Sequence, residues 1–267
     1  MSDFLKQMAE ASAERAARVR RFTDAELDRP VVPLALGAFD VIAEIKARSP
    51  AEGALAAETL DLAARAADYA RGGAAAISVL TEPSRFDGSL EHLEDIVAAV
   101  PDVPVMRKDF LVDTKQIEEA RASGASGVLL IVTMLPDARL RAMLDAAREH
   151  GLFVLLEAFD AEDLARLPSL LNAHDRDAVQ SGKLLFGVNT RNLRTLAVDP
   201  ARLAELAGDL PDGPAVAESG VRTAGDAADA AGLGYTAALV GTALMRSSDP
   251  AALIAAMKQA GAGALAA

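Results

Sequence analysis

Residues 41–45 read Val-Ile-Ala-Glu-Ile, a short and mostly apolar run that is followed directly by Lys46. Similar aliphatic and β-branched runs recur along the chain, each followed by a longer alanine-rich, amphipathic segment. This alternation predicts repeated βα units and a parallel sheet. The eight predicted strands cover residues 41–45, 75–80, 103–107, 127–132, 152–157, 184–189, 215–218 and 237–241.

The number of βα units favours one α/β architecture over another. Eight regular units within about 220 residues predict a closed (β/α)8 TIM barrel rather than an open doubly wound sheet. The strands read as continuous apolar runs, so both of their faces should be covered. Inner side chains would then fill the barrel, and outer ones would meet the surrounding helices.

The chain divides into an extension and a barrel that together form one predicted domain. Residues 1–40 precede the first strand and carry a helical pattern from Ser2 to Arg21, so they predict an N-terminal helical extension that could cap the barrel or cover its site. Residues 41–267 are predicted to form the barrel. The polar stretch at residues 172–182 is interpreted as a surface loop.

Composition narrows the range of partners. The chain of 267 residues has a formal net charge of −12, which disfavours nucleic acids and acidic membranes and requires a local basic cluster for any anionic substrate. It has no cysteine, and its histidines are too scattered to suggest metal ligands. The charged N-terminus and the lack of a long apolar run predict a cytoplasmic protein. We expect a monomer or a weak homodimer.

Working residues of a (β/α)8 barrel lie where its strands end, and almost every predicted strand here ends in polar or charged residues. Glu44 and Lys46 are two positions apart, so on a strand they share a face and would point into the barrel together. A buried salt bridge without function is the alternative for Glu44 alone. The joint convergence of charged and polar residues favours a site formed by Glu44, Lys46, Lys108, Glu157, Asn189, Arg191 and Glu218.

Two further features predict which chemical groups the two ends of a ligand would carry. Gly220, Gly241 and Thr242 follow the seventh and eighth strands, where backbone N–H groups commonly hold a phosphate. Phe86 and Phe110 lie near strand ends and could form an apolar wall for an aryl group, although core packing is the alternative for each.

The ordered motifs resemble indole-3-glycerol phosphate synthases over nearly the whole chain. Each motif is weak alone, but their joint order is specific. They are Ile42-Ala43-Glu44-Ile45-Lys46 with Ser49-Pro50, Ile77-Ser78-Val79-Leu80-Thr81-Glu82 with Phe86-Asp87-Gly88-Ser89, Arg107-Lys108-Asp109-Phe110, Gly187-Val188-Asn189-Thr190-Arg191-Asn192-Leu193, Ala217-Glu218-Ser219-Gly220, and Leu239-Val240-Gly241-Thr242-Ala243-Leu244-Met245.

This resemblance implies a lyase of tryptophan biosynthesis that closes 1-(2-carboxyphenylamino)-1-deoxyribulose 5-phosphate to an indole, with loss of carbon dioxide and water. It implies no metal and no organic cofactor. Lys108 would be the general acid, Lys46 would hold the carboxylate, and the two lysines would lower each other's pKa. Glu44 and Glu157 would share proton removal and dehydration in an order that stays open.

The remaining positions are implied to bind substrate. Asn189 and Arg191 would orient it, and Ser49 with Arg191 would anchor an anionic group. Glu218 and Ser219 would contact the ribulose hydroxyls, and Gly220, Gly241 and Thr242 would hold the phosphate. The departures from the family pattern concern rate and substrate range rather than reaction type. They are Ala47-Arg48, Ala51-Glu52, Phe159 in place of a histidine, and Thr190 in place of an asparagine.

Other interpretations remain at this stage. A phosphoribosylanthranilate isomerase would share the phosphate end, but it would use a cysteine and an aspartate as its acid and base, and this chain has no cysteine. A silent barrel used for binding would be expected to lack one of Lys46, Lys108 or Glu157, and all three are present. A specialised duplicate acting on a substituted anthranilate derivative is also open.

Overall fold

The computed structural model describes residues 2–49, 53–54, 61–191 and 197–266, and it forms a closed barrel of eight parallel strands. This confirms the predicted (β/α)8 architecture. A short antiparallel hairpin, β2–β3, follows the first strand. In chain order the strands are β1 (Asp40–Ile45), β2 (Arg48–Ser49), β3 (Gly53–Ala54), β4 (Ala76–Leu80), β5 (Val105–Lys108), β6 (Gly127–Ile131), β7 (Phe153–Ala158), β8 (Leu184–Asn189), β9 (Ala215–Glu218) and β10 (Ala237–Val240).

The barrel strands are buried along almost their whole length, as their apolar runs predict. Their observed ends differ from the predicted ones by two residues at most. The largest difference is at β5, where pairing begins at Val105 rather than at Val103. Pro104 lies between them, and because proline has no backbone N–H it cannot donate to the ladder.

Helices cover the outside of the barrel, and most begin at a side chain that caps the first turn. Asp113 and Gln116 form a reciprocal capping box at the start of α6, and Thr223 and Asp226 do the same for α11. The helices are α1 (Asp3–Arg18), α2 (Asp24–Leu27), α3 (Leu62–Arg71), α4 (Pro83–Phe86), α5 (Leu90–Ala99), α6 (Thr114–Ala122), α7 (Asp137–Glu149), α8 (Ala161–Leu170), α9 (Ala173–Gln180), α10 (Ala201–Leu206), α11 (Ala224–Gly232), α12 (Thr242–Arg246) and α13 (Pro250–Leu265).

The interpretation of residues 172–182 as a surface loop was wrong, because most of this stretch is the helix α9. The Asn172 side-chain oxygen accepts a hydrogen bond from the backbone N–H of Asp175, and the Asp175 carboxylate accepts one from the backbone N–H of Asn172. Arg141 of α7 pairs with the buried Asp175, and Val179 packs inward. The stretch was predicted as a loop because it is polar and because its helix buries only a few side chains.

Strand register decides which side chains enter the barrel. Residues paired across parallel strands point to the same side of the sheet, and alternate residues along each strand point to opposite sides. Glu44 pairs with Ser78, Leu80 with Lys108, and Asn189 with Glu218. The register therefore brings the inward residues at the carboxyl ends of these strands into one layer at the mouth of the barrel.

The N-terminal helix α1 packs across the mouth. Leu5 and Met8 are buried in the core, and Ser12 accepts a hydrogen bond from Gln116 Nε2 at 2.9 Å. Arg15 forms an ion pair with Asp109, directly after Lys108, with 2.6 Å between Nη2 and Oδ1. The helix is thus attached to the segment of β5 that carries a predicted catalytic residue.

The opposite end of the barrel is closed by an ion pair. Asp40, at the start of β1, lies 2.7 Å from Lys258 Nζ of α13 and accepts a hydrogen bond from the backbone of Gly37 at 2.5 Å. Lys258 also donates to the carbonyl of Gly73 at 2.6 Å. Among the described residues no helix has both the length and the apolar character needed to cross a bilayer.

Candidate active site

A solvent-open cleft of about 1070 Å³ lies at the carboxyl ends of the strands, and all eight barrel strands or the residues just after them contribute to its wall. Some of the residues named in the sequence analysis lie outside the described residues, namely Pro50, Ala51, Glu52, Asn192 and Leu193. The side chain of Ser49 also lies outside them. All other predicted site residues line this cleft, namely Glu44, Lys46, Phe86, Lys108, Phe110, Glu157, Asn189, Arg191, Glu218, Ser219, Gly220, Gly241 and Thr242.

A cluster of charged side chains occupies the floor of the cleft. Lys108 Nζ lies 3.4 Å from Glu157 Oε2 and 3.8 Å from carboxylate oxygens of both Glu44 and Glu218. Glu44 also pairs with Lys46, with 2.6 Å between Oε1 and Nζ. The three carboxylates are buried. Five charged groups from four strands or strand ends therefore share one small, weakly solvated volume.

The surroundings of Lys108 overturn one prediction. We expected the two lysines to lower each other's pKa, but the pKa of Lys108 is raised. Burial opposes this change, and the charges of Glu157, Glu218 and Glu44 outweigh burial. The glutamates lie directly beside the Lys108 ammonium, whereas the charge of Lys46 is paired with Glu44. Lys108 therefore remains protonated at neutral pH and can serve only as a proton donor there.

Two glutamates in the cluster have pKa values shifted in opposite directions. Burial would raise the pKa of Glu44, but the charges of Lys46 and Lys108 outweigh burial and the pKa is lowered. The pKa of Glu218 is raised well above its usual range, first by burial and then by the charge of Glu157, against the smaller effect of Lys108. Such a divergence favours one ionised and one neutral carboxyl group in the same site.

Two glycines leave room for these carboxylates. A methyl group at Gly241 would overlap Glu44 Oε1 and would come within 2.8 Å of Lys46 Nζ. A methyl group at Gly187 would overlap Glu218 Oε1. Gly241 was predicted as a phosphate contact, and the structure adds this second reason for its small size.

A hydrogen-bonded group positions the residues after β8 and β9. Asn189 Oδ1 accepts hydrogen bonds from Ser219 Oγ and from the backbone of Arg191, both at 3.0 Å. Ser219 has a left-handed backbone conformation, with φ of 66°, which is unfavourable for a residue other than glycine. Thr190 Oγ1 donates to the carbonyl of Ser219 at 3.2 Å. The threonine that departs from the family pattern thus supports the turn that holds Ser219.

The wall of the cleft formed after β9 and β10 contains a residue that the sequence analysis missed. Arg222 lines the wall beside Gly220 and follows β9 by four residues. Its backbone N–H donates to Asp226, but its guanidinium forms no ion pair with the described residues. Gly220, Gly241 and Thr242 lie in the same wall. The position of Arg222 shortly after a strand end could have identified it from the sequence.

The other wall of the cleft is aromatic. Phe110 packs edge-on against Phe4, with ring centroids 5.8 Å apart, and lies 6.1 Å from Phe86. Phe159 also lines this wall. Phe4 belongs to α1, and the sequence analysis missed it because its distance along the chain hides its position over the barrel.

The cluster does not have the arrangement of a metal site. Within residues 2–49, 53–54, 61–191 and 197–266, no three His, Asp or Glu side chains are placed to hold a metal ion together. Its carboxylates contact lysines instead. The geometry provides acid, base and anion-binding groups.

Fold and cleft together define a class: a (β/α)8 barrel with a cluster of lysines and buried glutamates in a cleft at its mouth. The family model of indole-3-glycerol phosphate synthase matches residues 5–257. The chain belongs to the indole-3-glycerol phosphate synthase family, which confirms the resemblance and the predicted enzyme class.

Relatives with the same name cover most of the chain. An indole-3-glycerol phosphate synthase of Beutenbergia cavernae is 43% identical over 256 residues, which are 96% of this chain and 85% of the relative. One from an Arthrobacter species is 47% identical over 228 residues, or 85% of this chain and 79% of the relative.

Solved structures show the fold alone. A 3-hexulose-6-phosphate synthase of Salmonella typhimurium matches with a TM-score of 0.61 and 15% identity, covering 83% of this chain and 98% of that one. A thiamine phosphate pyrophosphorylase of Pyrococcus furiosus matches with a TM-score of 0.58 and 16% identity, covering 85% of this chain and 98% of that one.

Proposed function

We propose that this cleft closes the ring of 1-(2-carboxyphenylamino)-1-deoxyribulose 5-phosphate to give indole-3-glycerol phosphate, carbon dioxide and water, as a step of tryptophan biosynthesis. Family membership supports the reaction. The observation that carries the chemistry is Lys108, a part-buried ammonium within 3.8 Å of three glutamate side chains at the floor of a cleft that has one aromatic wall.

In the first half of the reaction, Lys108 protonates the substrate's ketone oxygen. The ring carbon that bears the carboxylate attacks the ketone carbon, and the carbonyl becomes a hydroxyl. The carboxylate then leaves as carbon dioxide, and its bonding electrons neutralise the iminium formed on the ring. The raised pKa keeps Lys108 charged before the reaction, so it also stabilises negative charge that develops on the oxygen.

In the second half, the hydroxyl leaves as water and a carbon-bound proton is removed, which completes the indole. Glu44 is the proposed base, because its lowered pKa keeps it ionised and its contact with Lys46 holds it in place. Lys46 also stabilises the substrate carboxylate before it departs. Glu157 lies beside Lys108 and takes part in the dehydration.

The walls of the cleft position the two ends of the substrate. Phe4, Phe86 and Phe110 hold the aryl ring between apolar surfaces. Asn189, Arg191 and Ser219 orient the substrate, and Glu218 faces the ribulose chain. The phosphate is bound by Gly220, Gly241, Thr242 and Arg222.

The test is an assay of the purified protein with this substrate in chelator-treated buffer, following the rise of indole fluorescence and the release of carbon dioxide. We expect both products in equal amounts. A folded protein that binds the substrate but releases neither product would overturn the proposal. A parallel assay with ring-substituted substrates tests whether the aromatic wall selects for the unsubstituted ring.

A further inference from the structure

The proposed reaction requires two proton donations and one proton removal. One proton converts the ketone oxygen to a hydroxyl, and a second lets that hydroxyl leave as water. One proton is then lost from carbon as the indole forms. Lys108 accounts for the first donation and Glu44 for the removal. The inference that follows rests on this proposed function, and it concerns the second donation.

Glu218 is the buried carboxyl group without support for a negative charge. Its side chain is 1% exposed, and neither carboxylate oxygen accepts a hydrogen bond from the described residues. The nearest cation, Lys108, is 3.8 Å away and lies closer to Glu157. An ionised carboxylate is costly to bury without donors, so this environment favours the neutral acid.

The close polar neighbour of Glu218 is another carboxyl group. Both carboxyl groups approach Lys108 Nζ, Glu157 at 3.4 Å and Glu218 at 3.8 Å, and Glu218 Oε1 lies over Gly187, the β8 residue paired with Glu157, so the two groups are near enough for a hydrogen bond between them. Two ionised carboxylates are acceptors only, so such a bond exists only when one of them carries a proton. Like charges this close also resist double ionisation.

The charges of the surrounding elements agree with one retained proton. Glu44 and Lys46 face the cluster from β1, Lys108 from β5, Glu157 from β7, and Arg191 from the segment after β8. With Glu218 ionised, the three carboxylates balance the three cations Lys46, Lys108 and Arg191. With Glu218 protonated, one positive charge is in excess, which favours entry of a substrate with a carboxylate and a phosphate.

We propose that Glu157 and Glu218 hold one proton between them in the substrate-free enzyme, with Glu218 as the acid, and that this proton goes to the departing hydroxyl. The O–H bond of Glu218 breaks as the carbon–oxygen bond of the intermediate breaks, and water leaves. The ring nitrogen supplies the electron pair, and Glu44 then removes the proton from carbon. The proton taken by Glu44 returns to Lys108, 3.8 Å away, and solvent restores the proton on Glu218, so the overall reaction takes up one proton for each carbon dioxide released.

Infrared spectroscopy of the substrate-free enzyme tests the proton itself. At neutral pH, the difference between the wild type and Glu218→Gln should contain the carbonyl stretch of a protonated carboxylic acid, which shifts in deuterated water. Glu157→Gln should remove the same band, so the test survives if one variant folds poorly. Glu44→Gln is the control and should remove only an ionised carboxylate band. A wild-type spectrum that shows Glu218 ionised would overturn the proposal.

Kinetics test the use of the proton. In a single turnover of Glu218→Gln, with enzyme in excess, carbon dioxide release from carboxyl-labelled substrate should proceed near the wild-type rate, whereas indole formation should slow by on the order of 10²-fold. Equal slowing of both would indicate positioning alone and would overturn the proposal, as would unchanged indole formation. A wild type without turnover would instead refute the proposed function, and the infrared result would stand separately.

Discussion

The two ends of this barrel treat buried charge differently. At the amino-terminal end, Asp40 is paired with Lys258 and accepts a backbone hydrogen bond, and Lys258 has a second acceptor in Gly73. At the mouth, Lys108 is shared among three glutamates, and both oxygens of Glu218 lack a donor within the described part of the chain. At the amino-terminal end, charges with complete sets of partners stabilise the fold. At the mouth, charged groups with incomplete sets of partners are typical of a ligand-binding site.

The same contrast occurs between adjacent residues of β5. Arg107 points out of the barrel, is buried, and bonds to Thr81, Asp109 and Glu119. Lys108 points inward and has no hydrogen bond better than 3.4 Å, to Glu157, among the described contacts. A one-residue step along a strand therefore separates a structural cation from the proposed proton donor.

The largest expected effect comes from the mouth. Lys108→Ala should lower kcat by on the order of 10³-fold, because the proton donor is lost, while the circular dichroism spectrum remains that of the wild type. The control is Lys115→Ala, which removes an exposed lysine from α6 and should leave kcat unchanged. Wild-type turnover in Lys108→Ala would refute the assigned role.

A smaller loss should follow when the cluster is displaced rather than truncated. Gly241→Ala forces Glu44 and Lys46 to move, and a misplaced base should lower kcat/KM by on the order of 10²-fold. Both contacting atoms are side-chain ends, so the urea midpoint should change little. The matched control is Gly263→Ala on α13, where a methyl group meets nothing within 4 Å. Equal kcat/KM in the two variants would contradict the crowding argument.

The amino-terminal end should give the opposite result. Lys258→Ala leaves the buried Asp40 without its cation and should lower the free energy of unfolding by about 1–2 kcal/mol, measured in urea. The value is modest because a third of the Lys258 side chain is exposed. The kcat should not change, and a fall in kcat at unchanged stability would break the comparison between the two ends.

The smallest effect is expected at the rim of the mouth. Arg222→Ala should raise KM about tenfold and weaken inhibition by inorganic phosphate with little change in kcat, because it removes one charged contact to the phosphate. Arg148→Ala on α7 has the same charge change away from the cleft. If both variants raise KM equally, the effect belongs to overall charge and not to a contact.

Much of the fold could be predicted from periodicity, because a strand buried on both faces must be apolar throughout. The barrel and its strands followed from this rule, and β5 was misplaced only where Pro104 delays pairing. Helix α9 was missed because its buried residues are few and its capping residues also favour loops. Hydrophobic periodicity is a weak predictor for any helix or strand that buries few side chains.

The placement of the site was predictable for a related reason. Parallel strands bring all their carboxyl ends to one face, so residues at strand ends meet even when they are far apart in sequence. This rule found Glu44, Lys108, Glu157 and Glu218. It could not find Phe4, which reaches the cleft through the packing of α1.

The sequence by itself determined the barrel, its family and the residues at its mouth, because these depend on hydrophobic period, chain order and residue type. Only the tertiary structure decided the protonation of those residues. A pKa depends on distances and burial, and both are set by contacts between separate strands. Three glutamates around Lys108 reversed its predicted shift, and the same packing buried Glu218 without a hydrogen-bond donor among the described residues.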